Sequence, residues 1–157
     1  MSALRNWLRK INTTNIPIEL RVTSDPNEAT RCIQHQSTIR YIIILNVNDL
    51  HSVLGMYYAI AHEYGHAFMH YYGHHQEYGT HDLEMICDRI AAFYLADVTP
   101  APYKVVHEFF VKFHAKLPSA YFHDNITHPS GEKRVAYVKG EAVKSTFNLD
   151  NFEAVLL

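Results

Sequence analysis

Leu54-Gly55-Met56-Tyr57-Tyr58-Ala59-Ile60-Ala61-His62-Glu63-Tyr64-Gly65-His66-Ala67-Phe68-Met69-His70-Tyr71-Tyr72 is one helical run, free of proline and closed by Gly73. Its early turns, Val53 to Ala61, are apolar on most sides, which predicts a buried helix and not a solvated one. The segment His62-Glu63-Tyr64-Gly65-His66 decides what that helix is built around. At ~3.6 residues per turn the two histidines stand one above the other, so both imidazoles can reach a single ion at ~2.0–2.1 Å. Glu63 lies beside them, placed to take a proton from a water at that ion and later return it to a leaving amine. A buried His, Glu, His cluster with neither metal nor partners would be costly. H-E-x-x-H in this setting predicts zinc first and hydrolysis second.

Catalytic zinc takes three protein ligands and a water, and the motif supplies only two. His70 lies two turns beyond His62, about 12 Å along the axis at ~1.5 Å per residue, too far to share the ion with both and better read as a wall of the site. Met69 and Tyr72 stand where a metzincin carries its glycine and third histidine, so that pattern is absent. A second apolar-periodic stretch, His81 to Ala96, carries Glu84 and Asp88 four residues apart on one face. An ordinary acidic helix face would look the same. However, Leu83, Ile86, Cys87, Ile90, Ala91 and Phe93 surround the two carboxylates, and carboxylates in so apolar a helix call for a cation. On that reading Glu84 binds zinc while Asp88 accepts the free ring N–H of a ligating histidine.

Three blocks resemble the gluzincin peptidases that include HtpX, the Oma-type mitochondrial proteases and the CaaX prenyl endopeptidase. They are Ala59-Ile60-Ala61-His62-Glu63-Tyr64-Gly65-His66, then Leu83-Glu84-Met85-Ile86-Cys87-Asp88-Arg89-Ile90-Ala91, and last Thr127-His128-Pro129-Ser130-Gly131-Glu132-Lys133-Arg134-Val135. The resemblance implies a zincin-like α+β domain with a small sheet packed against the H-E-x-x-H helix and a second helix carrying E-x-x-x-D. It implies His62, His66 and Glu84 as ligands of one Zn2+, Glu63 as the base, Asp88 as the residue that orients a ligand, and His128 as a residue facing the ion. It also implies that an extended polypeptide substrate lies along the strand just before the active-site helix, adding itself as a further strand. A fully paired central strand is the alternative for that element. The chain departs from the resembled family in places: Asn27-Glu28-Ala29 is a loose match to the Asn-Ala that precedes the cleft strand, and Gly55 replaces an acidic residue at the start of the helix.

The remaining sequence is consistent with a compact enzyme. A chain of 157 residues fits one domain, with residues 146–157 as a flexible or regulatory tail. A net charge of −2 argues against a nucleic-acid partner. No run approaches the ~18–20 apolar residues of a membrane span, and Met1 to Lys10 lacks the apolar core of a signal peptide, so a cytoplasmic location is expected. Cys32 and Cys87 make no disulfide framework, and Cys87 reads as a small core residue. The spacing predicts a helix over 2–11, strands over 18–24, 29–35 and 38–46, and helices over 54–72 and 81–97. Further helices are expected over 103–117 and from His128 to about Val143. Asn48, Asp49 and Ser52 offer caps for the active-site helix.

The expected function is zinc-dependent endopeptidase action, with a zinc-bound water activated by Glu63. No motif that anchors a substrate amine points to exopeptidase trimming. A catalytically silent or latent zinc-binding interaction module is the alternative. His128 has two candidate roles, oxyanion donor or fourth zinc ligand, with Pro129 holding it extended and Arg134 bracing the segment through a carboxylate. His74, His75 and His81 read as surface imidazoles near the loop after the zinc helix.

Overall fold

The computed structural model describes residues 2–35, 37–49 and 52–96, together with Lys112 and Arg134. These residues form an α+β protein with helices α1 (Ser2–Ile11), α2 (Val53–Tyr71) and α3 (Thr80–Ala96), and strands β1 (Ile18–Thr23), β2 (Arg31–Gln34) and β3 (Tyr41–Asn46). The helices expected over 103–117 and from His128, and the tail at 146–157, lie outside the described residues. The chain divides into two compact units, Met1–His75 and Gln76–Leu157.

In the first unit, α1 is amphipathic in the simplest way. Leu4, Trp7, Leu8 and Ile11 recur at helical spacing and all are buried, while Arg9 and Lys10 sit in the last turn, where the helix dipole favours cations. Trp7 fastens α1 to α2. Its Nε1 donates to the Tyr57 carbonyl at 3.0 Å and its ring stacks on Tyr57 at 5.0 Å. The following turn is bracketed by Asn12, whose side chain both donates to the Ile16 carbonyl and accepts from the Ile16 N–H.

The sheet has the order β1-β3-β2, with β1 parallel and β2 antiparallel to β3. Tyr41-Ile42-Ile43-Ile44-Leu45 was bound to be interior on composition alone, because an unbroken apolar run suits a strand covered on both faces. Tyr41, Ile43, Ile44 and Leu45 are indeed buried. The strand begins at Tyr41 and not at Thr38, because the preceding turn spends its backbone groups locally: His35 N–H bonds the Arg40 carbonyl at 2.7 Å and Arg40 N–H bonds the Thr38 carbonyl at 2.8 Å.

This order corrects the expected substrate strand. β3 pairs with β1 on one side, Ile18 to Thr23 against Tyr41 to Asn46, and with β2 on the other, Arg31 to Gln34 against Ile44 to Tyr41. Its hydrogen-bonding edges are already used, so an extended peptide cannot add to it. Among the described residues the free edges belong to β1 and β2.

Helix α2 lies on β3 and β2. Ser52 caps it in an extended conformation, its Oγ accepting from the Gly55 N–H at 3.0 Å. A Cβ at Gly55 would meet that Oγ at 3.2 Å, so the missing acidic side chain leaves room for the cap. Gly73 ends the helix at φ 77°, the left-handed conformation that glycine adopts without a Cβ penalty. In the second unit, α3 is buried nearly all round from Ile86 to Leu95, Cys87 included. Among the described residues no helix is long and apolar enough to cross a membrane.

Candidate metal centre

The apolar run before the motif folds as one uninterrupted helix, and it buries His62 while leaving His66 and Glu63 half-buried. The two imidazoles stand one turn apart with ring centroids 5.0 Å from each other and planes at 72°. Tyr58, one turn before His62, packs its ring at 5.8 Å from the His62 ring. On α3, Glu84 and Asp88 are both buried, with Asp88 fully excluded from water.

His62, His66 and Glu84 each offer a ligand atom, and these atoms all lie within 4.8 Å of one another. Ligands of a tetrahedral zinc at ~2.0–2.2 Å sit about 3.4 Å apart. The separation is thus within small side-chain adjustments of a shared ion. Two neutral nitrogens and one carboxylate oxygen also make a chemically suitable donor set. The group can hold a metal ion.

Arg134 deals with the buried charge on α3. Its Nε donates to Asp88 Oδ2 at 2.6 Å and its Nη2 to Asp88 Oδ1 at 2.8 Å, a bidentate pair in which both side chains are buried. The same Nη2 lies 3.8 Å from Glu84 Oε2. Arg134 therefore has the carboxylate partner expected of it, and that partner is Asp88. Each Asp88 oxygen carries a second lone pair, so the pairing leaves acceptor capacity for a ring N–H. His128, expected to face the ion, lies outside the described residues.

Three features went unseen in the sequence. Cys32, on β2, has its thiol near Glu63: burial first, and the Glu63 carboxylate second, push it well above the ordinary thiol range. Tyr41 reaches α2 through a 2.7 Å hydrogen bond between its hydroxyl and His70 Nδ1, giving His70 a role in holding helix to sheet. Asn46, 2% exposed, anchors the loop between β1 and β2: its Nδ2 donates to the Asp25 and Glu28 carbonyls at 2.8 and 2.7 Å, and its own N–H reaches Thr30 Oγ1 at 2.9 Å. That loop contains the loosely matching Asn27-Glu28-Ala29. None of these contacts has a local sequence signal, because each depends on which residues face one another across the sheet. Compared with family models, with curated proteins and with solved structures, the chain has no significant match to any of them.

Proposed function

We propose that the protein is a zinc-dependent endopeptidase with a zincin-like catalytic domain of the gluzincin kind. The observation that carries this reading is the gathering of the His62, His66 and Glu84 ligand atoms within 4.8 Å, with Glu63 next to His62 on the same helix. The resemblance of the three sequence blocks supports it.

Zinc held by His62, His66 and Glu84 would supply Lewis acidity, lowering the pKa of a water from ~15.7 to ~7 and polarising a carbonyl. Glu63 takes the proton of the attacking water and passes it to the amine as the peptide C–N bond breaks. Asp88 accepts a ring N–H of a ligating imidazole, fixing its tautomer, and is itself held by Arg134. With β3 occupied on both sides, the extended substrate is assigned to β2, whose Cys32 lies on the Glu63 side of the sheet. Main-chain pairing of that sort reads backbone more than side chains, which suits loose sequence preference.

Cleavage of casein or a quenched peptide library by zinc-loaded protein, with Glu63→Gln as control, tests the proposal. The variant should keep its zinc and fold while losing at least ~10²–10⁴-fold in rate. A wild-type protein that holds zinc yet cleaves nothing would shift the reading to a zinc-binding interaction module.

A further inference from the structure

The β1 edge of the sheet has no part in the candidate metal centre. Tyr41 N–H bonds the Pro17 carbonyl at 2.8 Å, so in the parallel pairing of Ile18 with Tyr41 the main-chain groups of Glu19, Arg21 and Thr23 turn toward β3. Those of Ile18, Leu20 and Val22 turn outward, and among the described residues nothing bonds them. A row of unpaired N–H and C=O groups is a template for another strand. Strand β1 also lacks the usual guards of an edge: it runs for six residues, holds no proline and keeps unbroken register with β3, so no bulge twists it away. We propose that this edge pairs with the β1 edge of a second copy of the chain, antiparallel and centred on Leu20, joining two sheets into one across a two-fold axis.

Partner and register both follow from the side chains. Glu19 and Arg21 are exposed on one face of β1, whereas Ile18, Leu20 and Val22 share the other, where Leu20 is buried. A two-fold axis through Leu20 sets Leu20 against its own copy and Ile18 against Val22. All of these residues have outward main-chain groups, so each pair exchanges both of its N–H···O bonds. Glu19 then stands opposite Arg21 of the second copy, and Arg21 opposite its Glu19, in the closer, non-hydrogen-bonded kind of pair. An axis through Glu19 or Arg21 would set like charges against each other, and an axis between two residues would set outward groups against inward ones. Neighbouring charges extend the match. Arg40 lies 3.5 Å from Glu19 and Glu28 lies 2.8 Å from Arg21, so the row Arg40, Glu19, then Arg21 and Glu28 of the second copy alternates in sign. A peptide of a single charge sign would meet a like charge at Glu19 or at Arg21, whereas a second copy satisfies both. The contact is one short strand edge, so the dimer belongs to the small, concentration-dependent class of interface.

The test combines sedimentation velocity over a concentration series of the full chain with amide hydrogen exchange at the two ends of that series. The wild type should pass from monomer to dimer as concentration rises. Where the dimer predominates, the amides of Ile18, Leu20 and Val22 should exchange about tenfold more slowly than in the monomer, while those of Cys32 and Gln34 on the β2 edge stay unchanged. Arg21→Glu and Glu19→Arg, each alone, put like charges across the axis and should remain monomeric at concentrations where the wild type pairs. Mixed with each other, the two variants regain opposite charges at every position and should form a one-to-one heterodimer. Should either variant fail to fold, exchange in the wild type still decides. A wild type that stays monomeric throughout, a dimer whose β1 amides remain unprotected, or single variants that pair as well as the wild type would overturn the proposal. None of these readouts involves zinc or cleavage, so the outcome is independent of whether the protein is a peptidase.

Discussion

Helices α2 and α3 both bury polar side chains that a metal could bind, but they tolerate those side chains by different means. The polar groups of α2 are mainly imidazoles, which one or two hydrogen bonds satisfy, as the half-buried His70 is satisfied by Tyr41. Those of α3 are carboxylates, and a buried carboxylate demands a cation. Arg134 answers that demand at Asp88 with two hydrogen bonds and stands 3.8 Å from Glu84. The two helices thus differ in what their polar side chains need: hydrogen bonds satisfy the imidazoles of α2, whereas the carboxylates of α3 depend on charge compensation to stay buried.

Substitutions on each side should break the comparison unequally. The largest effect is expected at Glu84: Glu84→Ala removes the anionic ligand, and metal analysis should find the zinc lost. Full zinc in that variant would remove Glu84 from the ligand set and leave α3 with a purely structural charge cluster. Next comes Arg134→Met, which leaves Asp88 buried without its cation and should cost roughly 3–5 kcal/mol in urea unfolding. A double-mutant cycle sharpens the point. If the pair works as described, Arg134→Met should be markedly milder in an Asp88→Asn background, and equal losses in both backgrounds would show that Arg134 acts through something other than this carboxylate.

The smallest expected effect belongs to α2, whose start depends on a local cap and not on charge. Ser52→Ala should cost about 1 kcal/mol, with zinc content unchanged. A loss as large as that of Arg134→Met would mean that α2 also leans on a network beyond its own first turn.

Much of this was legible before any coordinates. The limits of α1 and α2, the Ser52 cap and the Gly73 stop follow from apolar spacing and from residue types that satisfy helix ends, all within a few positions along the chain. The candidate ligands were legible for the same reason, since i and i+4 spacing puts His62 and His66, and separately Glu84 and Asp88, on common faces. Periodicity could also say that Tyr41 to Leu45 is an interior strand. It could not say which strands lie beside it.

Strand neighbours are settled by long-range pairing, which leaves no trace in a window of ten residues. Only the tertiary structure puts β3 at the centre and thereby moves the free edges to β1 and β2. Only tertiary structure joins Arg134 to Asp88 across 46 residues and Tyr41 to His70 across 29. The sequence by itself determined the helices, their caps and the chemistry each could carry, because those rest on local geometry and side-chain type. Which carboxylate is neutralised, which strand stays open and which histidine is clamped were decided by the fold, because burial and register exist only once distant segments have met.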